Sequence, residues 1–510
     1  MLPAGVDPRT PVLVGAGQVV HRGKEPGLPG PAELAAEALR RAGADSGTGD
    51  RLLRAADLVA AVSPVSKPYE DLGALAAIEL GVAPARTLQS VRFGGDAPIT
   101  LLGRVAQAVA DGKAEVALLT GAEAVAAGIT AARTGITPSW PEEPAGAVPD
   151  EVVGTDRGPN SDMENAAGLW GPVYFYALME TALRARLGLT EEAHLARIGA
   201  LWSRFSEVAA GNPFAWQPER NSVADLIVPT PANRLVATPY PKLLTANLTV
   251  NQGAGLIVCS AAAADAAGVP HDRWVFLHGA ATATDEWFVS ERADLAASPA
   301  IAAAGGAALR SAGVGIDEVA HIDLYSCFPI AVQVAAEALG LALDDPARPL
   351  TLTGGLTFAG GPGNNYTTHS LAALVQVLRA HPGDFGLATA LGWYITKHGA
   401  AVLSTRPPAA RFRAEEPEVP AARRATAPGY TGRATVESYT VAYRRGSGPD
   451  RADEPEAVVI SALNPAGARI LVRASDAETI AAFADGDPLG AGVEIAAADR
   501  LTLLTERTVR

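Results

Sequence analysis

The sequence is poor in several things, and each shortage excludes something. There are two cysteines in 510 residues, Cys259 and Cys327, in unlike surroundings. Two thiols provide neither a disulfide framework nor zinc-ligand spacing, and they suit a reducing, cytoplasmic compartment. Aromatic residues make up 5% of the chain, so the core is expected to close through tight packing of Ala- and Gly-rich helices. Positive charge is in deficit, with 41 Lys and Arg against 55 Asp and Glu and a formal net charge of −14. Without a Lys/Arg run, that balance argues against nucleic acid and acidic membranes as partners. No apolar run approaches the roughly 18 to 20 residues of a membrane span. The opening stretch MLPAGVDPRTPVLVG lacks a basic segment, an apolar core and a small-residue cleavage site, so no secretory leader is expected.

What is present is a globular chain with 48% hydrophobic residues and 19% charged residues, long enough for several domains. The apolar run at 11–20 reads as a buried strand. Its Gly15-x-Gly17 lacks the third glycine of a dinucleotide fingerprint, Val20 standing there, and the next helix starts only at 31. Helices are expected over 31–43, 71–80 and 98–111, and strands over 57–62, 87–92 and 115–120. A second series follows the same order. Strands are expected over 274–279, 321–325, 350–356, 386–391 and 400–404, with helices over 298–313, 329–340 and 368–380. A Gly-Gly pair, Gly94-Gly95 and Gly360-Gly361, precedes the third helix of each series. The strands are apolar runs rather than alternating ones, as in sheets covered on both faces. Two copies of one α/β unit are therefore expected, at 1–265 and 266–408.

The first copy is interrupted before its last strand at 255–260. The intervening 125–245 reads as loop over 144–160, amphipathic helices over 169–187 and 191–209, and loop over 212–230. It holds Trp140, Trp170, Tyr174, Phe175, Tyr176, Trp202 and Trp216. An insertion of this length suggests a subdomain that covers a substrate, ordinary helical packing being the alternative. A Pro- and charge-rich linker is read over 409–428. Over 429–510, five short strands with one helix after the third fit a small OB-type barrel. That segment has 9 Arg and 12 Asp or Glu, so packing or acyl binding is expected of it rather than a phosphate-backbone groove.

The most concentrated stretch is GGLTFAGGPGNNYTTH, from Gly354 to His369, which holds five glycines and seven polar side chains ahead of an apolar helical run. A Gly-rich loop feeding a helix directs backbone N–H groups and the positive helix end at an anion or oxyanion; a connecting turn is the bland alternative.

These features together resemble the thiolase superfamily over about 10–404. VALLTGAEA, SRFSEVAAGNPFAW, TANLTVNQGAGLIV, DLYSCFP, GGLTFAGGPGNN and GWYITKHGAAVL match its blocks in order. The branch resembled is that of sterol-carrier-type thiolases and thiolase-like proteins with an added C-terminal domain. The resemblance implies a layered αβαβα fold and a CoA thioester as substrate or ligand, with no covalently bound cofactor and no metal. Relatives assemble through the first half, so a homodimer and a monomer both stay open. It also implies a Cys nucleophile where this chain has Gly95. Tyr325, Gly361 and about Trp393 stand where that family has His, His and Cys. Other groups are present instead. Cys327, with His398 or His369 as base and Tyr325 beside it, is one candidate catalytic set, a buried structural thiol being the alternative for Cys327. Gly95, Gly360, Gly361, Asn364, Asn365 and Tyr366 are candidates for oxyanion or substrate contacts, and Lys397 for a CoA phosphate. Two functions follow: an acetyl-CoA acetyltransferase-like enzyme with a rebuilt site, or a CoA- or acyl-lipid-binding protein whose barrel recruits a partner.

Overall fold

The computed structural model describes residues 2–3, 5–23, 27–446 and 453–504. The first half contains β1 (Pro11–Val20), α1 (Pro31–Asp45), β2 (Leu58–Val62), α2 (Leu72–Leu80), β3 (Arg86–Ser90), α3 (Ala97–Ala110) and β4 (Val116–Ala124). The insertion contributes α4 (Pro172–Leu187) and α5 (Glu191–Gly211), and β5 (Asn251–Ser260) completes the half. The second half contains β6 (Val275–Thr284), α6 (Pro299–Ala312), β7 (Val319–Asp323), α7 (Pro329–Leu339), α8 (Tyr366–Ala380), β8 (Phe385–Gly392) and β9 (Lys397–Ser404). Helix limits follow local chemistry. Pro31, Pro299 and Pro329 open helices whose first N–H groups lack partners anyway, while Gly313 and Gly340 close two in the left-handed conformation.

The strand order is β7-β8-β9-β6-β1-β5-β4-β2-β3. Numbered within its own half, the first reads 3-2-4-5-1 from its flank inward and the second 2-3-4-1, the same path without a counterpart of β3, and the two first strands meet where Val12 and Leu13 pair with Phe276 and Val275. The duplication seen in the sequence is thus a two-fold arrangement about that seam. Helices α3 and α8 pack together between the two half-sheets, with Ile99, Leu102, Val105, Leu371, Leu374 and Val375 in one core. Helices α1 and α6 cover the outer faces, which completes five layers. Gly15 and Gly17 are explained by this packing: a β-carbon on either would lie 2.2 and 2.1 Å from carbonyl oxygens of α1.

Four expectations are corrected. Residues 350–356 form no strand, because the Asp323 carboxylate draws in the backbone N–H of Leu352 and Thr353 at 2.8 and 3.3 Å. The 144–160 loop contains a strand, Glu151–Val153, that pairs in parallel with β3 and caps that edge of the sheet. The 212–230 loop contains a helical turn, Val223–Ile227. The linker is not free: Ala414 and Glu415 pair with Ala280 and Ala281 of β6, and Arg423 bridges to Arg292.

The C-terminal strands are β10 (Gly432–Arg444), β11 (Glu454–Leu463), β12 (Arg469–Ala474), β13 (Gly492–Ala497) and β14 (Arg500–Leu503), with α9 (Ala477–Ala484) after the third. Their order, β12-β11-β10-β13-β14, is that of an OB-like barrel. The Arg473 N–H reaches the Ala498 carbonyl at 3.1 Å, bringing the two ends together. Residues 447–452 and 505–510 of the expected barrel segment lie outside the described residues. The barrel rests on the insertion: Ala237 pairs with Ala442 of β10, and Arg184 on α4 grips Asp487 through two 2.8 Å bonds.

Candidate functional site

Both Gly-Gly loops and the turn between β8 and β9 converge at the start of α3. Gly95 lies one residue before its cap, Asp96. A β-carbon on Gly95 would stand 2.5 Å from the Tyr325 hydroxyl and 2.4 Å from the Leu391 carbonyl oxygen. Both distances are inside van der Waals contact, so no side chain fits at 95 without movement. Tyr325 follows β7, is buried, and meets Tyr366 edge to face with ring centres 5.4 Å apart. Burial, with Cys327 and Asp96 nearby, raises its phenol well above the ordinary value.

The remaining candidates divide into separate groups. Lys397 and Asp96 form a buried ion pair at 3.0 Å, and the ammonium also donates to the Phe93 carbonyl at 3.2 Å. His398 is held by Asp285 and Ser298. Its Nε2–H donates to Asp285 at 3.2 Å, with Ser298 Oγ at 3.3 Å. Burial alone would raise the Asp285 carboxyl, but the contacts with His398, Arg292 and Ser298 outweigh it and hold it below the usual carboxylate range. His369 faces the first half, where its Nδ1–H donates to Gln18 Oε1 at 2.9 Å and its Nε2 has no partner. Burial pushes it down to about 3, so it is neutral. Cys327 is buried beside Tyr176; burial pushes its thiol up to about 12 despite the Tyr176 hydroxyl and two backbone N–H groups. Among the described residues no hydrogen bond joins Cys327, His369 or His398 to one another.

The Gly-rich loop acts as a latch. Asn364 donates to the carbonyls of Ser63 and Arg92, both at 2.8 Å, and accepts from the Gly94 N–H at 2.9 Å. Asn365 donates to the Gly121 carbonyl at 2.5 Å. The Tyr366 hydroxyl is shared between Thr353 and Asp323 at 2.7 and 3.1 Å. The side-chain donors expected for an oxyanion are thus already used, Asn364 and Asn365 in tying the halves together and Tyr366 within the second half. Gly361 donates its N–H to the Asn247 carbonyl at 2.9 Å, and a β-carbon on Gly360 would meet Gln252 Oε1 at 2.3 Å.

The β8–β9 turn holds Trp393 and Ile395 both at φ 55°, a conformation costing about 1–3 kcal/mol for such residues. It persists because neighbours over-determine it. Arg292, buried, donates to the Tyr394 carbonyl and Thr396 Oγ1 at 2.8 Å each, and Tyr176 donates to the Trp393 carbonyl at 2.9 Å. The Trp393 ring lies 5.6 Å from that of Phe93, its indole nitrogen buried and unpartnered. Asp285 and Arg292 escaped sequence reasoning, since neither lies in a Gly-rich or Cys/His-bearing motif, and Tyr176 is singled out only as one of the insertion aromatics. Of the insertion aromatics, Phe175 stacks on Tyr394 and Tyr176 on Phe328, with Trp202 buried beside Phe205. Phe175 and Tyr176 thus pack the turn and the start of α7, and Trp202 and Phe205 pack the stretch at Gly355 and Thr357.

A cleft of about 610 Å³ leads to this region from the flank. One face of α3 lines it through Asp96, Ile99, Gly103 and Arg104, with Lys397 and His398 at one end. The opposite rim carries Glu415, Glu416 and Glu418.

Comparison with known proteins decides the family. A crystal structure of a monomeric SCP2-thiolase-like protein type 1 from Mycobacterium smegmatis shares 34% identity, covers 98% of this chain and all of its own, and superposes with a TM-score of 0.81. The chain belongs to the SCP2-thiolase-like protein type 1 family. The model of the thiolase-like protein type 1 additional C-terminal domain matches residues 416–500 of this thiolase-like protein, and that of the thiolase C-terminal domain matches 281–405. Human mitochondrial 3-ketoacyl-CoA thiolase, 13% identical over 78% of this chain and all of its own with a TM-score of 0.54, shares the fold. So does the acetyl-CoA acetyltransferase of Syntrophomonas wolfei, 15% identical over 78% of this chain and all of its own with a TM-score of 0.56. No curated protein matches. Among the described residues, no helix is long and apolar enough to cross a membrane.

Proposed function

We propose that this thiolase-like protein binds a CoA thioester without forming an acyl-enzyme. The observation that carries the reading is the Tyr325 hydroxyl in the space beside Gly95. A covalent thiolase cycle needs a thiolate there. Cys327 does not replace it, because a thiol pushed up to about 12 is protonated at neutral pH. The His398 Nε2 is engaged by Asp285, and the neutral His369 faces Gln18.

The binding half of the reading rests on the family and on the cleft along α3. Its volume is in the range of small-ligand sites. The acidic rim opposes nucleotide phosphates, so the part held inside is the uncharged acyl–pantetheine segment. Val152, Ala414 and Pro417 offer it accessible apolar surface, and Thr100 and Thr282 offer hydroxyls.

Calorimetry with acetyl-CoA and a medium-chain acyl-CoA tests this, with free thiol followed in parallel. We expect binding, an unchanged thioester and no mass increase on the protein. An acyl adduct mapped to Cys327, or steady CoA release abolished by Cys327→Ala, would restore the acyltransferase reading. Val152→Trp, at an exposed position of the cleft wall, should weaken binding at least tenfold; unchanged affinity would move the ligand elsewhere.

A further inference from the structure

Away from this site, His321, His381 and Asp384 bring one ligand atom each to a common point, all within 4.8 Å of one another. We propose that they form a binding site for a divalent transition metal, with zinc, cobalt or nickel as the fitting class. His321 stands on β7 at the outer flank of the second half-sheet. His381 caps the C-terminus of α8, and Asp384 sits in the short turn before β8. Chain connectivity explains why two of the three are close: they flank a three-residue step. The parallel pairing of β7 with β8, His321 opposite Gly386, brings in the third.

The geometry suits a metal. His321 Nε2 lies 3.0 Å from Asp384 Oδ2. Ligands about 2.0–2.1 Å from a tetrahedral zinc stand about 3.3 Å apart, so these two already have nearly the required spacing. The His381 ring centre is 5.2 Å from that of His321, at 38°. Its side chain is exposed, so a small rotation brings its nitrogen in without disturbing the core. Two imidazoles and one carboxylate favour a borderline transition metal over calcium or magnesium, which take oxygen ligands. The field has the right sign as well. His381 ends α8, where free carbonyls present the negative helix end, and Asp384 adds a full charge. With three protein ligands, the fourth position belongs to water or to a group from another molecule. An ordinary His–Asp hydrogen bond explains the contact of His321 with Asp384 but not the exposed imidazole of His381 beside it.

The untagged full chain, stripped with EDTA, is titrated with Co(II) and with Zn(II) against a chromophoric chelator. We expect one equivalent bound, ligand-field bands from the cobalt form, and no competition from millimolar Mg(II). His381→Ala and Asp384→Asn, both changed at accessible positions, should each weaken binding at least tenfold with the metal-free melting temperature preserved. Absence of bound cobalt, or equal affinity in the native chain and His381→Ala, would overturn the site.

Discussion

The hydroxyl of Tyr325 stands 2.5 Å from where a β-carbon on Gly95 would be. One side chain from the second half thus occupies the place beside the start of α3 that a nucleophile would need. Gly95→Ala is expected to destabilise the chain by about 1–3 kcal/mol through overpacking. The Leu391 carbonyl opposes the same carbon, so Tyr325→Ala should recover only part of that loss. Urea unfolding of the two single variants and the double variant measures the coupling; strict additivity would mean that the two positions do not compete for one space.

Acid sensitivity should have a component from His369. Its folded pKa of about 3 lies below the ordinary value of 6.5, so the unfolded chain takes up its proton first. The stabilising effect is complete above about pH 6.5 and is lost as pH falls toward 3. Each pH unit between about 6 and 4 costs up to about 1.4 kcal/mol from this group. His369→Gln cannot titrate, and its stability should fall less steeply over that window. Parallel curves from chemical unfolding at pH 7.5, 6, 5 and 4 would remove His369 as the source.

Arg469 ties the barrel to the body of the protein. It is fully buried, donates to both Glu437 oxygens at 2.7 and 2.8 Å, and reaches the carbonyls of Ser290 and Arg292 at 3.0 and 2.5 Å. Arg469→Met removes both guanidinium bonds from Glu437, which keeps only Ser461 at 2.7 Å and Arg424 at 4.0 Å, and strips the two carbonyls of this donor, so it should cost about 3–5 kcal/mol. Adding Glu437→Leu should return a share of it. Thermal unfolding followed by circular dichroism reads both; a single variant within 0.5 °C of the native chain would show that the barrel is held by other contacts.

The strand Glu151–Val153 covers the β3 edge of the main sheet. Free edges invite pairing between chains. We expect a monomer, and self-association when the cover is removed by Val152→Pro with Val153→Pro. Light scattering behind size exclusion provides the test. A native dimer, or a variant that stays monomeric, would separate oligomeric state from this edge.

The duplicated architecture was readable because it depends on local signals repeated in order: buried apolar runs, Pro and Gly at helix ends, and a Gly-Gly pair before each third helix. The strand expected at 350–356 failed for a non-local reason, since Asp323 competes for the backbone N–H groups of Leu352 and Thr353. The strand at Glu151–Val153 was hidden because three residues carry too little periodicity to be seen. Among site residues, the resemblance drew attention to Gly95, where the structure shows no room for a side chain. The roles of Asn364, Asn365 and Tyr366 were not legible, because side-chain type specifies donors without specifying what receives them.

Composition and order of motifs by themselves determined a two-fold thiolase-type body and an added barrel, and placed a glycine at 95. Only the tertiary structure decided that Tyr325 occupies the space beside Gly95, that Cys327, His369 and His398 serve three separate environments, and that His321 meets His381 and Asp384. The physical reason is range. Helix and strand signals act over a few residues, whereas these encounters join positions from different strands, helices and turns whose approach is set by how the two halves pack.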